Sequence, residues 1–271
     1  MTGMGHALGA AGAIVRRELR RFVEQRSRLA SALVRPLLWL MVFAAGFQNV
    51  FGVSIIPPYQ TYVTYQVYVL PGLAAMVLLF NGMQSSLSLV YDREMGMMRL
   101  LLTAPLPRWW LLLAKLAAGV ALSLVQVYAF LGVAALFDVR LPALGYLTVL
   151  PALVLAALML GAIGLLLSAT IRQLENFAGA MNFVIFPMFF LSSALYPLWK
   201  IAEAAAAPVH YLCLVNPFTY AVELIRFAAY GEVAPVALGV VLGVTAVAFA
   251  LACRAYDPQR GLLGRARAQP A

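Results

Sequence analysis

The stretch YDREMGMMRLLLTAPLPRWW, residues 91–110, decides the reading of this chain. It carries Asp92, Arg93, Glu94, Arg99 and Arg108 and two prolines, Pro105 and Pro107, yet long apolar runs flank it on both sides. A polar island of this kind connects two membrane-crossing helices. The rest of the composition agrees: 64 % of the 271 residues are hydrophobic and 11 % charged, against about 25 % charged in a soluble domain. Uncharged apolar windows run through 36–52, 69–90, 116–137, 146–170, 177–198 and 233–253. Each is close to or above the ~20 residues that cross a ~30 Å hydrocarbon core as helix. The expected fold is therefore an all-α polytopic membrane protein with six transmembrane helices. Residues 1–30 form a basic arm, 31–254 the six-helix transmembrane domain and 255–271 a basic tail, leaving no room for a soluble domain of ordinary size. The N-terminal Arg cluster leads into a long span with no convincing small-residue cleavage site, so the first span is expected to stay in the protein.

Six spans sort the basic residues between two sides. The N-terminal segment up to and including Arg35, the 91–115 connection, the 171–176 turn and the tail together hold sixteen of the nineteen Lys and Arg; Arg140, Lys200 and Arg226 fall on the other side. This bias places both termini and the opening segment in the cytoplasm, with the chain multi-pass. The net charge of +9 then reflects topology and contact with anionic lipid, and nucleic acid is not an expected partner. By this topology Cys213 and Cys253 lie at opposite faces and cannot pair with each other.

Region 199–232 tests the span count, because IAEAAAAPVHYLCLV and NPFTYAVELIRFAAYG are both fairly apolar. One more crossing would turn the Arg-rich tail outward, against the charge bias. Pro208, Pro217, Glu223 and Arg226 also interrupt these segments, so they read as two short helices in or on the outer leaflet, shielded by other helices. Glu223 and Arg226, at i and i+3, can partly neutralise each other. From Val15 to Arg28, Val15, Leu19 and Phe22 line one face and arginines the other, as in a helix lying in the membrane interface. Its periodicity fits a lever to cytoplasmic partners and a plain surface anchor equally.

Within the opening stretch, Asp92 to Thr103 reads as a short helix ended by Pro105 and Pro107. Met95, Met98 and Leu102 recur at helical spacing, with Met97 and Leu101 alongside. Such an adaptable thioether face suits contact with another protein or packing on the chain's own helix ends.

The segment resembles the loop of the ABC-2 family, the membrane permeases of ATP-binding-cassette transporters, through Arg93, Glu94, Gly96, Arg99, Leu101, Thr103, Pro105 and Arg108. Residues 175–199 are similar to that family's fifth helix and its exit, and 216–231 to its outer motif before the sixth. The resemblance covers about residues 14–254. It implies an N-terminal interfacial helix, a cytoplasmic coupling helix at about Arg93 to Thr103, and short re-entrant outer helices between spans 5 and 6 that carry Asn216, Pro217, Glu223 and Arg226. It further implies two ABC ATPase subunits that supply ATP and Mg, a second and identical permease subunit, and export as the usual direction. Met97 and Met98 stand where the family usually has Leu or Glu-type residues, so the groove of the ATPase would differ in detail.

No G-x-x-x-x-G-K-[ST] loop occurs, so this chain makes no P-loop of its own and is expected to hold no cofactor. His6 and His210 are too far apart to begin a metal set, and no base stands near a serine nucleophile in the spans. The six windows lack Asp, Glu, Lys and Arg, which weighs against an ion-coupled secondary transporter. A non-transporting membrane scaffold is separated from a permease by whether an ATPase binds. Asn81, Gln84, Ser85 and Ser88 form a polar stripe on the second span, which Gln126 and Asn182 can meet; interhelical hydrogen bonding and contact with cargo both fit. Phe183, Phe186, Phe189, Phe190, Tyr196 and Trp199 form an aromatic band, and by the resemblance Phe186 and Phe190 lie near a path between two subunits. Ala157, Gly161, Gly164 and Ser168 form a small-residue seam for close helix packing. Few charges and apolar walls fit an amphipathic or hydrophobic cargo.

Overall fold

The computed structural model describes residues 9, 12, 13, 16, 34–42, 57–59, 63–95, 107–171, 173–203 and 207–256. Among them every extended element is a helix: a helical run at 34–42, then α1 (Tyr65–Glu94), α2 (Arg108–Leu136), α3 (Gly145–Thr170), α4 (Leu174–Phe190), α5 (Leu198–Glu203), α6 (Ala207–Val215), α7 (Pro217–Ala229) and α8 (Pro235–Ala255). Most of the amphipathic arm at 15–28, residues 43–52 of the first expected span and residues 96–106 of the connection lie outside the described residues.

Four of the helices, α1, α2, α3 and α8, are long and apolar enough to cross a membrane. Their apolar residues surround the helix, as expected where lipid or another helix covers every face. In hydrocarbon the helix is favoured because it satisfies its own backbone polar groups. The chain is thus a multi-pass membrane protein. The helices α6 and α7, bent by 74° at Asn216, qualify as a fifth span only when taken together.

Prolines and turn residues set the boundaries. The fifth expected span, 177–198, is shorter as a helix. Pro187 lacks the N–H that would reach back to Phe183, α4 ends three residues later, and 191–197 is a turn. In region 199–232 the described residues form α5, α6 and α7; residues 204–206 lie outside the described residues, and the bend at Asn216 falls where the two expected segments meet. Between α2 and α3 the chain reverses at Asp138, which has a positive φ of 62°, with Val139 N–H donating to Ala134 O at 3.2 Å. At the end of α7, Gly231 (φ 75°) takes the left-handed position, and Pro235 opens α8.

The helix α3 is central, packing on α1, α8, α7 and α2. The small-residue seam faces α1 with no space to spare. A Cβ on Gly82 would lie 3.0 Å from Gly161 N, and one on Gly164 would lie 2.8 Å from Gly82 O. Ser168 leaves the seam to meet the Tyr256 hydroxyl at 2.8 Å. The core between these helices is apolar, with Leu70, Leu73, Leu78, Met83, Phe130 and Leu153 fully buried.

Candidate functional site

The first half of the site lies at the end of the bundle where α1 finishes. Asp92, Arg93 and Glu94 do not start a separate helix; they form the last turn of α1, with Met95 as its C-cap. Residues 96–103 of the expected helix at Asp92 to Thr103 lie outside the described residues; α1 persists beyond its apolar window because each of the three polar side chains finds a partner on another element. Lys115 Nζ donates to Asp92 in a largely buried ion pair, tying α1 to α2. Arg93 Nη1 donates to Ile171 O at 3.3 Å beyond the end of α3, and its guanidinium lies 5.0 Å from the centroid of the Tyr256 ring after α8. Glu94 Oε1 accepts from Leu174 N–H at 3.0 Å. Leu174 is the first residue of α4, so Glu94 satisfies one of the donors that every helix N-terminus leaves open and sets a negative charge at the positive end of its dipole. Burial pushes the Tyr256 phenol up from its ordinary value, opposed by Ser168 and Arg93.

Three consecutive residues of one helix thus hold the ends of α2, α3, α4 and α8. The sequence pattern singled out Arg93 and Glu94 but not these partners. Lys115 was legible in principle, since two antiparallel helices joined by a short connection bring residues near their joined ends together. Gly96, Met97, Met98, Arg99, Leu101, Thr103 and Pro105 lie outside the described residues.

A second cluster lies midway along α1. Asn81, Gln84, Gln126 and Asn182, drawn from three helices, line one cavity of about 90 Å³ with Arg35, Met76, Phe80 and Met181. Asn81 and Gln126 are buried, and Asn81 Nδ2 donates to Gln126 Oε1. Arg35 from the 34–42 run stands 3.9 Å over the Phe80 ring; sequence reading assigned it to the basic arm and missed this place. The space is large enough for several waters, each needing ~10–15 Å³. The polar stripe divides here. Asn81 and Gln84 face the cavity, Ser85 sits against Gly119, and Ser88 bonds back to Ser85 O at 2.6 Å.

The aromatic band splits likewise. Phe189 is buried against Phe218, while Phe183 and Phe186 are exposed. Phe186 and Phe190 stack at 6.3 Å, and Trp39 meets Phe190 edge-on at 5.8 Å.

At the far end of the bundle, Asn216 caps α7 by accepting from Phe218 N–H at 3.0 Å, with Pro217 at the first helical position. Its Nδ2 donates to Met188 O (2.7 Å) and Leu191 O (2.5 Å), fastening α7 to the carbonyls that α4 leaves open. Arg226 is buried, 3 % exposed. Its guanidinium donates to Glu223 and to Ser193 O at 2.8 Å, and lies 4.1 Å over the Tyr68 ring. Tyr65 and Tyr68 donate to Leu195 O and Ser193 O at 2.6 and 3.1 Å, so the turn after α4 is held from two helices. Sequence reading paired Glu223 with Arg226 but gave no sign of the tyrosines. Cys213 is fully buried.

The profile of the ABC-2 type transporter family matches residues 10–230. Relatives include "Putative transport permease ycf38" of Cyanophora paradoxa, 30 % identical over 215 residues, which are 77 % of this chain and 71 % of the relative. Its namesake in Porphyra purpurea is 28 % identical over 218 residues, 79 % of this chain and 72 % of the relative. With that match over most of its length, the chain belongs to the ABC-2 type transporter family.

Proposed function

We propose that this chain is the membrane-spanning permease subunit of an ATP-driven exporter, in which two copies pair and two separate ABC ATPase subunits bind and hydrolyse ATP with Mg. The clasp of Asp92, Arg93 and Glu94 on four other helices carries this reading. A push on the connection that follows Glu94 reaches those helices at once, as coupling to an external ATPase requires. The segment from Arg93 through Gly96, Met97, Met98, Arg99, Leu101 and Thr103 to Pro105 is the contact with the ATPase. Both termini and this segment face the cytoplasm, and the chain crosses six times, with the 34–42 run belonging to the first span and α4 to the fifth. Residues α5 to α7 form the outer re-entrant unit around Asn216, Pro217, Glu223 and Arg226.

The exposed face of α4 with Phe183 and Phe186 meets the second copy. The cavity of Asn81, Gln84, Gln126 and Asn182, together with Phe186 and Phe190, borders the path, while Ser85 and Ser88 continue the stripe below it. Neutral amides and rings fit an amphipathic cargo. Among the described residues, α1, α2, α3 and α8 carry ionisable side chains of the Asp, Glu, Lys and Arg type only near their ends, which disfavours an ion-coupled carrier.

The test is to purify the tagged chain in nanodiscs from its host and identify stoichiometric partners by mass spectrometry. A co-purifying ATPase, lost in the Glu94→Arg, Gly96→Pro double variant, is the expected result. Recovery of the chain alone, or full transport by that variant, overturns the proposal.

A further inference from the structure

The far end of the bundle holds a second cavity, of about 160 Å³, lined by Pro57, Tyr59, Tyr68, Trp199, Glu223 and Arg226 together with Pro197 and Leu198 at the start of α5. Three polar atoms of its lining residues are buried without a hydrogen-bond partner among the described residues: Tyr59 Oη, Trp199 Nε1 and Arg226 Nε. Leaving a buried donor unpaired is costly, and three in the wall of one cavity are best explained by a ligand that takes them up. Indole and guanidinium nitrogens only donate, and the phenol donates readily. Burial pushes the Tyr59 phenol well above its ordinary value, which keeps its proton on. The ligand must therefore present several acceptor oxygens.

The charge around the cavity narrows the class. Glu223 lines the same space, its side chain 24 % exposed, and neutralises Arg226. A full anion would meet that carboxylate, and a cation would meet three donors. A hydroxyl group suits both, accepting from the donors and donating to Glu223. Rings and prolines form the rest of the wall, suited to the C–H faces of a saturated ring. Tyr59 is fixed between Tyr230 (5.0 Å, edge-on) and Tyr68 (6.1 Å), so its hydroxyl is placed before any ligand arrives. The volume admits one small ring, well below the ~300 Å³ at which drug-sized pockets begin.

We propose that this cavity is a binding site for a neutral, hydroxyl-rich ring: a free sugar, or the sugar head of a lipid. The site is separate from the Asn81–Gln126 cavity, and binding to the isolated chain does not depend on the transport reading.

The experiment uses the full chain in phosphatidylcholine nanodiscs, titrated calorimetrically with methyl glucoside, hexyl glucoside below its micelle concentration, hexanol and inorganic phosphate. Saturable binding of both glucosides assigns the site to the sugar itself. Binding of hexyl glucoside alone assigns it to a sugar head on an apolar tail. Tyr59→Phe and Trp199→Phe should each weaken that binding about fivefold, the worth of one neutral hydrogen bond of ~1 kcal/mol. Tyr59→Phe should leave the unfolding temperature unchanged or raised, because it removes a donor that has no partner. Binding of phosphate or hexanol in preference to the glucosides, no saturable binding, or glucoside binding untouched by both variants overturns the proposal. So does marked destabilisation by Tyr59→Phe, which would give the hydroxyl a structural partner.

Discussion

The two ends of the bundle treat their charges in opposite ways. Where α1 finishes, Asp92, Arg93 and Glu94 each have a partner on a different element. At the other end, about 36 Å along α1 at 1.5 Å per residue from Asp92 to Tyr68, one arginine is buried more deeply than any of the three, and donors around it have no partner among the described residues. A satisfied polar cluster fixes the mutual position of the groups it joins, and an unsatisfied one stores a demand that a ligand can meet. The first end is built to move as a unit, the second to be occupied. Between them the α1–α3 seam at Gly82, Gly161 and Gly164 leaves little room for one helix to shear past the other.

The largest expected effect is at the buried arginine. Arg226→Met leaves Glu223 partly buried without its cation and Ser193 O without its charged donor, which should cost about 3 kcal/mol. Thermal unfolding in a fixed detergent reads it, and the Arg226→Met, Glu223→Met double variant should recover part of the loss. If Arg226→Met unfolds like the parent chain, the cluster is not a buried ionic network and the contrast between the ends fails. Next comes the seam that joins them. Gly82→Leu forces side-chain atoms into the Gly161 backbone and should cost about 2 kcal/mol as an overpacked core does, whereas the same change at Gly239, where a Cβ meets nothing within 4 Å, should be close to neutral.

How much of this was legible in the sequence follows from the range of each signal. Apolar windows located the long helices because lipid imposes length and hydrophobicity residue by residue. They missed that α1 extends from Tyr65 to Glu94, since its last turn is held by partners 23 to 163 positions away in the chain and not by its own apolarity. The spacing of Asn81 and Gln84 put them on one face, and Gln126 and Asn182 were named as residues that could meet it; the cavity now joins all four. The tyrosine cage around Arg226 gave no local pattern at all. Its members come from the 57–59 segment, the start of α1 and the end of α7, and only the fold brings them together.

At the clasp itself, Asp92→Asn keeps the shape and removes one charge of a pair whose side chains are only 10 % and 17 % exposed. It should cost about 1 kcal/mol, above the usual surface ion pair and below a fully buried one. A double-mutant cycle with Lys115→Met measures the coupling directly. A coupling of zero would make this end as loosely held as an ordinary surface.

Glu94→Gln should have the smallest effect on stability, about 0.5 kcal/mol, because Glu94 is exposed and a glutamine oxygen can still accept from Leu174 N–H. What the substitution removes is the negative charge at the α4 N-terminus, worth ~0.3–1 kcal/mol at low salt and less when screened. The loss should therefore shrink as salt is raised. A structural role limited to filling space predicts no salt dependence. If Glu94 also couples α4 to an ATPase, the variant lowers transport per ATP hydrolysed while unfolding almost as the parent does. A fall in stability of several kcal/mol would instead place Glu94 among groups like Arg226, held by burial rather than by its position at a helix end, and the distinction between the two ends would disappear.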